Sequence, residues 1–124
     1  MKYVETSKGV KPIGPYSQAI VSNGLVYLSG QIAIDPATNA MVSGGIREQT
    51  KQVLDNVRVV LEAAGSGLGK VLKTSVFISE TSLFKEMNEV YAAAFGGHKP
   101  ARTTVVCGFV KEGILVEIDV VATV

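Results

Sequence analysis

Residues 100–123 read Pro100-Ala101-Arg102-Thr103-Thr104-Val105-Val106-Cys107-Gly108-Phe109-Val110-Lys111-Glu112-Gly113-Ile114-Leu115-Val116-Glu117-Ile118-Asp119-Val120-Val121-Ala122-Thr123. Two apolar, β-branched runs flank a polar break at Lys111-Glu112-Gly113, the pattern of two strands, Arg102 to Val110 and Ile114 to Val124. Each run carries one charge that does not fit a plain core strand. A charge in an apolar strand needs a partner, a ligand or water, because burying it alone is costly. The planar fork of Arg102 suits a carboxylate. Glu117 offers a base or a water-orienting group. Period 2 puts Thr104 and Val106 on the face of Arg102, and Asp119 on the face of Glu117. The pair points to a small pocket for an anionic metabolite, with hydrolysis beside it. Plainer readings stand next to this one. Arg102 is an edge-strand arginine in a salt bridge or reaching to solvent, and Glu117 pairs with a lysine of a neighbouring subunit.

Working outward, Val71 to Ser79 reads as a third strand, with Thr74, Val76 and Ile78 on one face. Ser82 is placed to cap a second helix with the stripe Phe84, Met87, Tyr91 and Ala94, ended by Gly96-Gly97. Before Val71, Gly44-Gly45 precede a helix of about 20 residues with apolar positions at Ile46, Val53, Leu54, Val57, Leu61 and Ala64. Arg47, Lys51, Asp55, Arg58 and Glu62 form its solvated side, and Gly65 its C-cap. At the N-terminal end, prolines on both sides of Gly14 mark an ordered loop. Tyr16 to Ser22 and Leu25 to Ile34 read as a hairpin about Asn23-Gly24, closed by Asp35-Pro36.

The order is β-β-α-β-α-β-β over residues 1–124, one α+β domain in which a sheet carries two helices on one face. Strands apolar on both sides imply a cover for the second face, and with only two helices available another subunit is expected to supply it. The composition agrees, with 47% hydrophobic and only 19% charged residues. Such an apolar excess is best placed in subunit interfaces.

Twelve Lys plus Arg against eleven Asp plus Glu leave no basic footprint for nucleic acid. No apolar stretch reaches the ~18–20 residues of a membrane span, and Met1-Lys2-Tyr3-Val4-Glu5 lacks the apolar core of a secretory signal. A single cysteine rules out an intrachain disulfide and fits a reducing, cytoplasmic setting. One histidine and one cysteine are too few soft ligands for a zinc site. There is neither a phosphate loop nor a dinucleotide fingerprint. Cys107 reads as a small buried hydrophobe and His98 as a loop histidine. In Ser29-Gly30-Gln31, Gly30 either relieves a β-bulge or lets a ligand approach bare backbone, with Tyr16 closing the pocket.

Seven stretches carry a resemblance to a known family: Ile13-Gly14-Pro15-Tyr16, Ser29-Gly30-Gln31, Leu54-Asp55-Asn56-Val57, Val76-Phe77-Ile78, Phe84-Lys85-Glu86-Met87-Asn88-Glu89-Val90-Tyr91, Pro100-Ala101-Arg102 and Val116-Glu117-Ile118. In order and spacing, from about residue 8 onward, the chain resembles the Rid family, also called YjgF, and within it the RidA subgroup. The resemblance implies a chorismate-mutase-like fold, assembled as a homotrimer with a barrel-like centre and three clefts between subunits. It implies hydrolysis of enamine and imine acids such as 2-aminoacrylate and 2-aminocrotonate, released by pyridoxal-phosphate enzymes, to 2-keto acids and ammonia without cofactor or metal. By the same match, Arg102 grips the substrate carboxylate, Glu117 stands near the attacking water, and Tyr16 belongs to the catalytic set. Ser29, Gly30, Phe84, Asn88 and Thr104 line the cleft. Thr104 stands where many bacterial members have cysteine, and Thr103 and Ala33 also depart from the usual residues, which bears on pocket shape. The competing reading is a non-catalytic module that binds small carboxylates. A third is a structural oligomer with empty clefts.

Overall fold

The computed structural model describes residues 1–124. Strands β1 (Lys2–Val4), β2 (Ala19–Ser22) and β3 (Leu25–Leu28) are followed by the two-residue strands β4 (Ile34–Asp35) and β5 (Ala40–Met41). Helix α1 (Ile46–Ala63), β6 (Val71–Ile78), α2 (Phe84–Phe95), β7 (Ala101–Val106) and β8 (Val116–Thr123) complete the chain. Six strands form one mixed sheet in the order β1-β2-β3-β8-β6-β7. The fold is α+β, as the pattern implied. The last strand enters the middle of the sheet and joins the β2–β3 hairpin to the β6–α2–β7 unit, in which β6 and β7 run parallel.

The hairpin turns at Asn23 and Gly24, both with positive φ (52° and 77°). That is the demand of a type I′ turn, and Asn-Gly meets it at least cost. One face of the sheet presents Val26, Leu28, Thr74, Val76, Ile78, Val116, Ile118, Val120 and Ala122, all buried. Helix α1 seals them with Val53, Leu54, Val57, Val60 and Leu61, also buried. Each such side chain contributes ~1.5–3 kcal/mol by leaving water. The helix starts at Gly45, whose N–H donates to Glu48 Oε1 at 2.8 Å. This contact holds the Glu48 carboxyl below its ordinary range. It ends with Ala64 as the cap, one residue before Gly65.

Several boundaries differ from the sequence reading. Tyr16, Ser17 and Gln18 lie outside the β2 ladder, because the Gln18 amide turns inward to bind Thr6 and Val10. The strand expected to run from Leu25 to Ile34 breaks after Leu28, where the chain leaves β8 to pass Glu117, and Ile34 pairs instead with Met41. Strand β1 adds an edge that the pattern did not show. Ser82 does not cap α2: it sits in a 3-10 turn, Thr81–Leu83, and its hydroxyl faces Glu80. Phe95 rather than Ala94 ends the buried stripe, being one turn beyond Tyr91. Strand β7 stops at Val106, and Val110 is fully exposed.

The second face of the sheet is open in the single chain. It is not uniformly apolar: Tyr27, Phe77, Val105 and Val121 alternate with Lys73, Ser75, Thr103, Glu117 and Asp119. No helix is long and apolar enough to cross a membrane.

Candidate active site

Glu117 sits between the buried Val116 and Ile118, so the strand period turns its carboxylate to the open face. There it rests on Gly30. A Cβ at that position would overlap Glu117 Oε2 and stand 3.0 Å from its Cδ. Close approach, not an unusual backbone angle, distinguishes this glycine: a side chain here would push the Glu117 carboxylate aside. Gln31 holds the crossing in place by exchanging backbone hydrogen bonds with Ile118, at 2.9 and 3.1 Å. Ser29 fastens the preceding segment: its Oγ donates to Ser17 O at 2.5 Å, and its N–H to Gln18 O at 3.0 Å.

A cavity of about 640 Å³ opens over this floor. Tyr16, Ser29, Gly30, Gln31 and Glu117 form its polar side, and Val10, Ile13, Ile32, Val110 and Ile114 its apolar wall. Burial pushes the Glu117 carboxyl above its ordinary range, and the charge of Asp119 adds to the shift. Asp119 is raised as well, by burial, although Ser75 and Lys73 partly offset this. A carboxyl shifted up from its resting value is better matched to passing a proton near neutral pH.

Arg102 lies on the other face. Its register partner is the buried Thr74, which pairs in turn with Val120 on the helix side, whereas Glu117 pairs with Phe77 on the open side. The guanidinium carbon is 4.9 Å from the ring centroid of Tyr91 and 5.7 Å from that of Phe84. These rings form an aromatic platform for the cation. The Tyr91 hydroxyl is in turn bonded to Thr74 Oγ1 at 2.8 Å. Arg102 takes part in none of the four ion pairs, so the salt-bridge reading of this residue does not hold within the chain. Thr104 shares its strand face, and Asn88 lies one turn from Phe84 on α2. Thr104 Oγ1 and Asn88 Oδ1 are both buried without a hydrogen-bond partner. Buried polar atoms are rarely left so, and these belong to the strand and the helix that carry Arg102 and its platform.

The sequence-derived residues thus fall into two groups. Tyr16, Ser29, Gly30 and Glu117 meet in one cavity, while Arg102 meets Phe84 of α2 at the sheet edge, with Thr104 on the same strand face and Asn88 one turn along the helix. One chain does not bring Arg102 and Glu117 together. Two features escaped the sequence reading. Tyr91 falls in the core stripe by its spacing, but its ring also carries Arg102. Gln31, which pins the floor of the cavity, was signalled only by its place after Gly30. No three His, Cys, Asp or Glu side chains gather into a metal-binding group.

The family described as Endoribonuclease L-PSP matches residues 6–124. A RutC family protein of Pyrococcus horikoshii is 46% identical over 94% of this chain and 93% of its own length. The crystal structure of RidA from the Antarctic bacterium Psychrobacter superposes with a TM-score of 0.95 at 34% identity, covering all of both chains. The chain belongs to the Rid family. The human 2-iminobutanoate/2-iminopropanoate deaminase is 38% identical to this Rid protein over 98% of the chain and 88% of the human sequence. These likenesses establish a Rid-type function and leave the reaction to be argued from the site.

Proposed function

We propose that this Rid protein hydrolyses 2-enamine and 2-imine acids, such as 2-aminoacrylate and 2-aminocrotonate, to 2-keto acids and ammonia. The observation that carries the reading is the division of the site. An arginine free of carboxylate partners waits on an aromatic platform at one sheet edge, and a carboxyl of raised pKa floors a cavity on the opposite face. Two copies of the chain supply both halves to one cleft, three times over in a homotrimer. The similarity to the human imine deaminase supports this chemistry.

In the proposed reaction the imine tautomer docks its carboxylate on the Arg102 fork of one subunit. Water held by Glu117 of the next, and by a backbone carbonyl near Thr104, attacks the imine carbon. A C–O bond forms as Glu117 takes a proton from the water. The same proton passes to nitrogen, giving a tetrahedral carbinolamine. The hydroxyl proton then moves to nitrogen by way of Glu117 as the C–N bond breaks and the C=O bond forms, so that ammonia leaves a keto acid. Tyr16 stands at the cavity mouth, half exposed, where it can hydrogen-bond the intermediate. Positioning provides much of the effect, and proton transfer adds ~10²–10⁴-fold. Near-zero net charge offers little to a ribonucleic acid chain.

The test couples a serine or threonine dehydratase to keto-acid formation, with wild type, Arg102→Ala, Glu117→Ala and a co-refolded mixture of the two variants. Wild type should accelerate hydrolysis and each variant alone should not. The equal mixture should regain roughly a quarter of the sites, the share in which both intact halves meet by chance in a closed ring. Inactive wild type would sink the deaminase, and an inactive mixture would sink the shared cleft. The competing carboxylate-binding module needs only the Arg102 half. It predicts keto-acid binding with no wild-type turnover.

A further inference from the structure

The walls of the Glu117 cavity are loops, and each is held by one buried carboxamide. Gln18 accepts from Thr6 N at 2.7 Å and donates to Val10 O at 3.0 Å. Asn56 donates to Ile32 O at 3.0 Å and to Ile34 O at 2.8 Å. Gln49 donates to Gly113 O at 2.8 Å and accepts from Leu115 N at 3.0 Å. The last is a two-point clamp with the pattern of a strand pair, made by a side chain from α1. It brackets Ile114, a wall residue, and ends two positions before Glu117.

The clamped turn has little other support. Cys107 N is bonded to Ile78 O before it and Leu115 O to Ser79 N after it, and no turn or loop backbone bond involves residues 108–114. Gly113 has a φ of +87° and Val110 is fully exposed. Gln49 itself is buried on a helix face that is otherwise mostly aliphatic. Packing alone would favour an aliphatic residue at this position, since a buried amide is costly unless both its ends are bonded.

We propose that Gln49 is a positioning residue for the reaction: it fixes the Val110–Ile114 wall, and with it the approach of substrate to Glu117. The proposal rests on the imine-hydrolysis reading above. A protonated carboxylic acid has the same donor and acceptor as the amide, whereas a carboxylate can only accept. Gln49→Glu should therefore lose kcat/KM near neutral pH, by up to about 10²-fold for a displaced wall. It should recover toward wild type as the pH is lowered and the new side chain protonates. Gln49→Met keeps the volume and loses both bonds, so its deficit should not change with pH. The neighbouring ionisable groups, Glu48 and Lys51 on the helix and Lys111 and Glu112 on the turn, are exposed and the same in all three proteins.

The experiment measures kcat and KM of the assembled proteins with enzymatically generated 2-aminocrotonate from pH 5 to 8, each variant as a ratio to wild type. A deficit expressed mainly in KM, pH-dependent for Gln49→Glu and flat for Gln49→Met, supports the clamp. Equal, flat ratios for two variants that melt with wild type would overturn it while leaving the deaminase standing. Should Gln49→Glu fail to fold, an unchanged KM in Gln49→Met overturns the clamp. Wild type without turnover removes the function reading and this proposal together.

Discussion

The two halves of the proposed site are built in different ways. The Glu117 half is an enclosure: a carboxylate seated on a glycine, under loops tied down by buried amides. The Arg102 half is an open edge: a cation on two aromatic rings, with Asn88 Oδ1 and Thr104 Oγ1 unpaired nearby. An enclosure tunes protonation, because removing water raises the cost of the charged carboxylate. An open edge keeps a guanidinium hydrated and ready to exchange water for a ligand. A strand cannot easily give one chain both, since successive side chains alternate between faces. In the cleft proposed above, a second copy would resolve the conflict by presenting its edge to the cavity.

The sharpest way to break this contrast is at its floor. Glu117→Gln should reduce kcat by ~10²–10⁴-fold, the range of a lost proton carrier, with ligand binding retained. Gly30→Ala should come within about tenfold of that loss in a protein of unchanged oligomeric size, because the added methyl group displaces the carboxylate it must touch. Near-normal kcat in Gly30→Ala would show that the position of Glu117 is not critical. At the other half, Arg102→Lys keeps the charge but loses the fork. One charge-assisted bond of ~1.5–3 kcal/mol is then missing, a deficit of roughly 10–10²-fold in kcat/KM. Full activity in that variant would refute the role given to the guanidinium.

Smaller effects sharpen the electrostatic side. Burial raises the carboxyls of Glu117 and Asp119. The folded chain therefore holds protons that the unfolded chain has released. The stabilisation tied to this is complete below the ordinary carboxylate range and is lost as the pH rises through the raised values. Asp119→Asn does not titrate, so its melting temperature relative to wild type should climb with pH above that range. A difference independent of pH would mean that Asp119 is not desolvated in the assembled protein. Smallest of all, Thr50 is fully buried and its hydroxyl has no partner. Thr50→Val should stabilise by about 1 kcal/mol in thermal unfolding.

Much of this could be read without coordinates. Period 2 in the last two runs and period 3.6 around Val53, Val57 and Leu61 are consequences of burying one face. They survive in the sequence because burial is decided residue by residue. Asn23-Gly24 announced its turn for the same local reason. The breaks at Tyr16–Gln18 and after Leu28 were not legible. They depend on where Gln18 and Glu117 find partners far along the chain, and an apolar run does not record such contacts. The buried carboxamides Gln49 and Asn56 were hidden similarly, although polar residues on a core-facing stripe are a usable signal.

The residue types in this chain by themselves determined the α+β class and the Rid pattern, and they singled out Arg102, Glu117 and Tyr16. Only the tertiary structure decided that Arg102 and Glu117 face opposite sides of one sheet. Periodicity gives the alternation of faces within a strand, but which faces of two strands coincide depends on register and order. Here those are set by β8 entering between β3 and β6, a long-range pairing that no local stretch of sequence encodes.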